Sequence, residues 1–174
     1  MEPASALLPA IRVVAGYPKP GIDFYDITTL LKDPLHLRST IDGMSALFAE
    51  VLVDKVVGIE ARGFFFAPTV ARQLGAGFVP VRKAGKLPAR TRRESYELEY
   101  GLAEMEMHED AVKSDGERFL IVDDVLATGG TAGAAARLVE GLGGVVVGFA
   151  FMLEIEALKG RANLRSEVRS LVTV

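Results

Sequence analysis

Apolar positions along this chain follow two rhythms, and the changes of rhythm divide it into elements. Leu35, Leu37, Ile41, Met44, Leu47, Phe48 and Val51 recur every three or four residues, the spacing of one helix face. They predict an amphipathic helix from about Pro34 to Val53, with Asp33 as its N-cap. Lys55-Val56-Val57-Gly58-Ile59 is rich in β-branched residues and predicts a strand, followed by a Gly-containing turn and a helical pattern through Ala71 and Leu74. Phe78 to Val81 predicts another strand. From Arg82 to Glu94 the chain is dense in Lys and Arg and holds Gly85 and Pro88 without a sustained apolar period, which predicts an exposed, mobile loop. Ser95 to Met107 alternates imperfectly through Tyr96, Leu98, Tyr100 and Leu102, the pattern of a β-hairpin. Phe119-Leu120-Ile121-Val122 is a continuous apolar run. A Gly-rich turn, a helix of small residues from Thr131 to Leu142, a stop at Gly143-Gly144 and a strand from Val145 to Leu153 follow it.

Strands that alternate with helices and are apolar on both faces predict an α/β fold, with a central, mostly parallel sheet flanked by helices and right-handed crossovers. A length of 174 residues with 49% apolar content suits one domain spanning 1–174. The 20 basic and 23 acidic residues leave a formal charge of −3, which supplies no overall attraction for nucleic acid or an anionic membrane. The absence of cysteine excludes disulfides, thiolate metal centres and a cysteine nucleophile. With only His36 and His108, a histidine-rich metal centre is excluded too, and both are assigned to structure or surface. Met1-Glu2-Pro3 lacks a basic leader pattern, and no apolar stretch approaches the roughly 18 residues needed to span a bilayer. A soluble, unprocessed, cytoplasmic chain is expected.

The chemistry concentrates after the run Phe119–Val122. Asp123 and Asp124 stand at the end of a buried strand, and Val125-Leu126-Ala127-Thr128-Gly129-Gly130-Thr131 leads into a helix. Gly129 and Gly130 permit backbone angles that expose successive N–H groups, Thr128 and Thr131 add hydroxyls, and the helix N-terminus adds partial positive charge. Such a loop can hold a phosphate monoester, while the two carboxylates can accept hydrogen bonds from ribose hydroxyls. The plainer alternative is a tight strand-to-helix connection in which the acids cap turns. The segment lacks the endings of the nucleoside-triphosphate and dinucleotide glycine loops.

Val122-Asp123-Asp124-Val125-Leu126-Ala127-Thr128-Gly129-Gly130-Thr131 resembles the phosphoribosyl pyrophosphate signature of the type I phosphoribosyltransferases, in the wording of their adenine-specific branch. The resemblance continues through Tyr17 to Thr28, Ile59-Glu60-Ala61-Arg62-Gly63-Phe64, Arg82 to Pro88, Ser95 to Gly101 and Glu154 to Arg161. It implies the type I phosphoribosyltransferase fold, with an N-terminal base-pocket segment (1–30) and a flexible hood of loop and hairpin (82–107). It also implies a purine-salvage enzyme that transfers the phosphoribosyl group to adenine, giving AMP and pyrophosphate.

By the same resemblance, Asp123, Asp124, Ala127, Thr128, Gly129, Gly130 and Thr131 bind the sugar phosphate, and Glu60, Ala61, Arg62 and Gly63 surround the pyrophosphate. Lys83, Lys86 and Arg90 reach the pyrophosphate from the hood, Arg90 across a homodimer interface. Ile22, Phe24, Arg62 and Ile155 form the adenine pocket. Tyr25 and Thr29 depart from the family pattern there, where Arg and Pro are common. Glu99 is the implied general acid/base, joined by Arg62, Asp123 and Asp124 in catalysis. Mg²⁺ is the implied cofactor, held mainly through the substrate, with Asp123 and Asp124 reaching it through water. Plainer readings stay open at this point. Arg62 could form a surface ion pair with Glu60, Phe24 could be core, the basic run a solvated loop, and Glu99 an exposed hairpin carboxylate. A non-catalytic sensor of the sugar phosphate and an enzyme for another purine are the competing functions.

Overall fold

The structure, a computed structural model, describes residues 4–98 and 101–174. A seven-stranded sheet forms its centre in the order β5-β6-β4-β3-β7-β8-β9. The strands are β3 (Lys55–Ile59), β4 (Gly77–Lys83), β5 (Thr91–Leu98), β6 (Gly101–His108), β7 (Arg118–Leu126), β8 (Val145–Glu154) and β9 (Val168–Thr173). The run β4-β3-β7-β8-β9 is parallel, while β6 is antiparallel to β4 and β5 to β6. A separate antiparallel pair, β1 (Arg12–Ala15) and β2 (Asp23–Asp26), precedes it. The helices are α1 (Ala4–Leu7), α2 (Thr28–Leu31), α3 (Pro34–Ala46), α4 (Ala67–Leu74) and α5 (Gly130–Gly141). None of them is long and apolar enough to cross a membrane.

Each central strand feeds two cores. Phe119 and Ile121 of β7 face α5 and join Ala135, Leu138 and Val139 in one cluster. Leu120 and Val122 face the other side and join Leu7, Met44, Phe48 and Val70 of the α1–α3–α4 layer. This alternation explains why the parallel strands read as continuous apolar runs.

Asp33 caps α3 as expected, its side chain accepting from the N–H groups of Leu35 and His36 at 2.9 and 3.0 Å. The helix ends at Ala46 rather than near Val53. Phe48 N–H donates to Ser45 and Val51 N–H to Phe48, so the backbone tightens to three-residue turns while Phe48 stays fully buried. The apolar spacing therefore outlasts the helix. The expected long basic loop is also corrected. β4 extends to Lys83 and β5 starts at Thr91, leaving a turn at 84–90 and a hairpin that begins before Ser95.

A buried acid explains that turn. Glu106, on β6, is 1% exposed. Its carboxylate accepts from Lys86 N and Leu87 N at 2.8 Å each, and from Thr91 Oγ1 and Arg93 Nε at 3.1 and 3.3 Å. Burial opposes its ionisation, but the N–H donors of the turn outweigh it and hold the carboxyl at about 2. The basic segment thus wraps an internal negative charge.

Candidate active site

β3 and β7 run side by side in parallel, with Gly58 opposite Val122, so the segments that follow them emerge at the same end of the sheet. Carboxyl ends of parallel strands are where open α/β sheets bind ligands. Here Glu60, Ala61 and Arg62 face Asp123 to Ala132 across a cleft of about 280 Å³, with Tyr96 of the hairpin and Phe151 completing its wall. The Glu60–Ala61 peptide is cis. Gly63 follows at a point where a Cβ would lie 2.8 Å from the Val122 carbonyl oxygen and 3.0 Å from Asp123 Oδ1. Glycine is what lets this turn press against β7 at Val122 and Asp123.

The loop between β7 and α5 has the strand-to-helix glycine turn that the sequence predicts. Gly129 has φ of 82° and caps α5, which starts at Gly130. The left-handed residue suits glycine, and it leaves the first N–H groups of a twelve-residue helix at the cleft. Ala127, Thr128, Gly129, Gly130 and Thr131 all line the cleft.

Asp123 and Asp124 form the acidic wall. Asp123 accepts the N–H of Asp124 at 2.9 Å, and Asp124 is 3% exposed. Burial and then the neighbouring Asp124 charge push the Asp123 carboxyl well up. Burial also raises Asp124, against the pull of Arg62. Arg62 Nε lies 2.8 Å from Asp124 Oδ2, yet among the described residues no donor is aligned to hydrogen-bond that buried oxygen. A carboxylate oxygen left so is suited to a sugar hydroxyl or a hard cation. Among the described residues no cluster of three or more acidic, histidine or cysteine side chains could hold a metal by itself. The adjacent Asp123 and Asp124 carboxylates offer the oxygen donors that a hard cation takes.

Arg62 also reaches the N-terminal segment, its guanidinium carbon lying 5.2 Å from the centre of the Phe24 ring. Phe24 in turn meets Tyr17 edge to face at 5.3 Å, and it belongs to neither core cluster. One cation therefore joins an aromatic face to the acidic wall. Glu60 is not its partner. The Glu60 carboxylate accepts from Arg82 Nε at 3.1 Å and from Lys83 N at 3.1 Å. Burial opposes its ionisation, but these donors prevail and lower its pKa. Glu60 thus anchors the end of β4 beside the cleft.

Other predicted residues stand further off. Ile22 is half-buried and its carbonyl accepts from Tyr17 N. Ile155 is half-buried, and its N–H donates to the Leu126 carbonyl at the end of β7. Lys83, Lys86 and Arg90 are exposed and are not part of the cleft wall. Lys83 borders a separate groove on the hairpin with Leu102 and Glu104. Glu99 lies outside the described residues.

Sequence reasoning passed over Tyr96, whose hydroxyl sits beside Thr131 and Asp123. Burial and then the Asp123 charge raise its pKa against the Thr131 hydrogen bond. Of the two histidines, His36 sits within 3.5 Å of Asp33 at the start of α3, and neither lines the cleft.

The phosphoribosyl transferase domain family matches residues 39–172. The adenine phosphoribosyltransferase of Solibacter usitatus is 59% identical over 154 residues, 88% of each chain. The crystal structure of the Rhodothermus marinus adenine phosphoribosyltransferase superposes with a TM-score of 0.91 at 50% identity, covering 98% of each chain. That of the Saccharomyces cerevisiae enzyme, complexed with an iminoaltritol bisphosphate and adenine, gives 0.90 at 41% identity, covering 97% of each chain.

Proposed function

This chain belongs to the adenine phosphoribosyltransferase family, and from that premise we propose how its residues transfer the phosphoribosyl group of phosphoribosyl pyrophosphate to adenine, yielding AMP and pyrophosphate. The observation that carries the assignment of roles is the bridging position of Arg62, in contact with Asp124 on one side and Phe24 on the other. The loop Ala127–Thr131 takes the 5-phosphate on backbone N–H groups, the Thr128 and Thr131 hydroxyls and the α5 N-terminus. Asp123 and Asp124 accept the ribose hydroxyls. Adenine stacks on Phe24, with Ile22 and Ile155 as apolar walls. Pyrophosphate lies against the Glu60–Gly63 turn.

Transfer breaks the bond from the anomeric carbon to pyrophosphate and forms a bond to a ring nitrogen of adenine. Positive charge grows on the sugar and negative charge on the leaving group. Asp123 and Asp124 beside the sugar and Arg62 beside the pyrophosphate oppose those charges where they develop. When bound, Mg²⁺ neutralises the pyrophosphate oxygens, with Asp123 and Asp124 as the residues that hold its water shell. Glu99 manages the proton on adenine as general acid/base. Lys83 and Lys86 reach the pyrophosphate when the hood turn comes over the cleft and excludes water.

The site is proposed to work in a cytoplasmic homodimer, with Arg90 serving the neighbouring subunit. Light scattering that returned a monomer at assay concentration would rule out this arrangement. Replacing Glu99 with Gln tests the proton role. A loss of about 10²- to 10⁴-fold in kcat is expected, with KM for the sugar substrate retained. Full activity in that variant would remove Glu99 from the mechanism.

A further inference from the structure

The segment after β8 does something that the substrate contacts do not explain. It leaves the sheet at Glu154, turns through Glu156–Leu158 and Gly160–Asn163, and passes directly behind the phosphate loop. A Cβ on Gly160 would lie 2.2 Å from the Ala127 carbonyl oxygen, and one on Gly129 would lie 2.5 Å from the Gly160 carbonyl oxygen. The Asn163 side-chain amide donates to the Thr128 carbonyl at 2.8 Å. The two backbones thus approach as closely as two glycines allow, and one side-chain hydrogen bond pins them.

That segment is itself tied down. Arg161 donates to both carboxylate oxygens of Glu154, at 2.5 and 2.6 Å, and to the Val168 carbonyl at 2.6 Å. Ser170 donates to the same carboxylate at 2.6 Å. Glu154 is 3% exposed, so one guanidinium joins the ends of β8 and β9 through a buried acid.

We infer that Gly160 and Asn163 are positioning residues for the phosphate loop, anchored by the Glu154–Arg161 pair. The inference rests on the reading that this loop holds the 5-phosphate. In a trans peptide the C=O and N–H point in opposite directions. A Thr128 carbonyl held toward Asn163 therefore turns the Gly129 N–H away from Asn163, and an Ala127 carbonyl held against Gly160 does the same for the Thr128 N–H. The loop lacks bulky side chains to fix its backbone, so the segment behind it sets the direction of its donors before the substrate arrives.

The test is steady-state kinetics on the full-length protein with phosphoribosyl pyrophosphate and adenine varied separately, alongside thermal melting. Asn163 is exposed, so Asn163→Ala should fold as the wild type does. It is expected to raise KM for phosphoribosyl pyrophosphate about fivefold, the effect of one lost hydrogen bond, and to leave KM for adenine unchanged. Asn163→Asp, nearly isosteric but with an acceptor facing the Thr128 carbonyl, should raise it further. Arg161→Lys should shift the same constant in the same direction, because an ammonium cannot span both carboxylate oxygens and Val168. An unchanged sugar-phosphate KM in both Asn163 variants, or an equal rise for both substrates, overturns the inference. A wild-type protein without turnover would instead sink the functional reading on which it rests.

Discussion

Asp123 and Asp124 share one wall of the cleft, and burial raises the pKa of both. For an acid with a raised folded-state pKa, the folded state binds its proton more tightly than the unfolded chain does. Stability from that proton is present below the ordinary carboxylate range and is lost as pH rises through the raised value. The ionised pair therefore costs stability at neutral pH. Asp124→Asn is accordingly expected to raise Tm by about 2–4 °C, the shift that about 1 kcal/mol gives in a chain of this size. Arg62 is 39% exposed and keeps its solvent when that charge is removed. Binding has the opposite dependence, because protonation removes the negative charge that makes each carboxyl a strong acceptor and that opposes the charge growing on the sugar. KM for phosphoribosyl pyrophosphate should rise as pH falls through the raised value, and initial rates across pH would reveal a flat profile if the pair were only structural. Tyr96→Phe removes the hydroxyl beside Thr131 and should raise the same KM by about fivefold. The glycine turn at the head of α5 was legible because its residues are contiguous. The Phe24–Arg62–Asp124 contact was not, since it joins three distant segments and depends on the sheet order.

The hairpin β5–β6 is the element whose behaviour the sequence least revealed. The turn 84–90 that leads into it is organised by Glu106, and its outer strand is tied to α5, where Arg137 donates to Glu94 at 3.3 Å and to the Ser95 carbonyl at 3.2 Å. Composition showed the basic run but could not show the buried acid it encloses, so a mobile loop was expected where half of the run is strand. The Glu106 carboxyl is lowered from 4.5 to about 2. Its contribution to stability is thus present above pH 4.5 and is lost as pH falls toward about 2. Glu106→Gln should cost about 2 kcal/mol, the scale of a hydrogen-bonded charge removed from buried donors. Limited trypsin digestion should then cut faster at Lys86 and Arg90, and equal cleavage rates would show that Glu106 does not hold the turn. The β1–β2 pair and β9 were also missed. The first has no buried residue and the second is a half-buried edge strand, so neither carries a strong apolar pattern.

Across the whole molecule, two cores on opposite faces of one sheet hold the ends of β3, β7 and β8 in register, and that register assembles the cleft. Phe48 is fully buried in the helical-layer core and does not line the cleft. Phe48→Ala should cost about 3–5 kcal/mol, seen as a lower denaturant midpoint, with KM values unchanged in whatever fraction stays folded. The α/β class was legible from strands apolar on both faces. The order in which β7 lies beside β3 was not, because pairing between distant segments leaves no local pattern. The most direct measurement is pyrophosphate release by wild type and Asp124→Asn with phosphoribosyl pyrophosphate, Mg²⁺ and each purine base in turn. Wild type should release pyrophosphate with adenine, and the variant should lose about 100-fold in kcat/KM while melting no lower. Undiminished release by the variant, or equal release with every base, would contradict the roles assigned to this cleft.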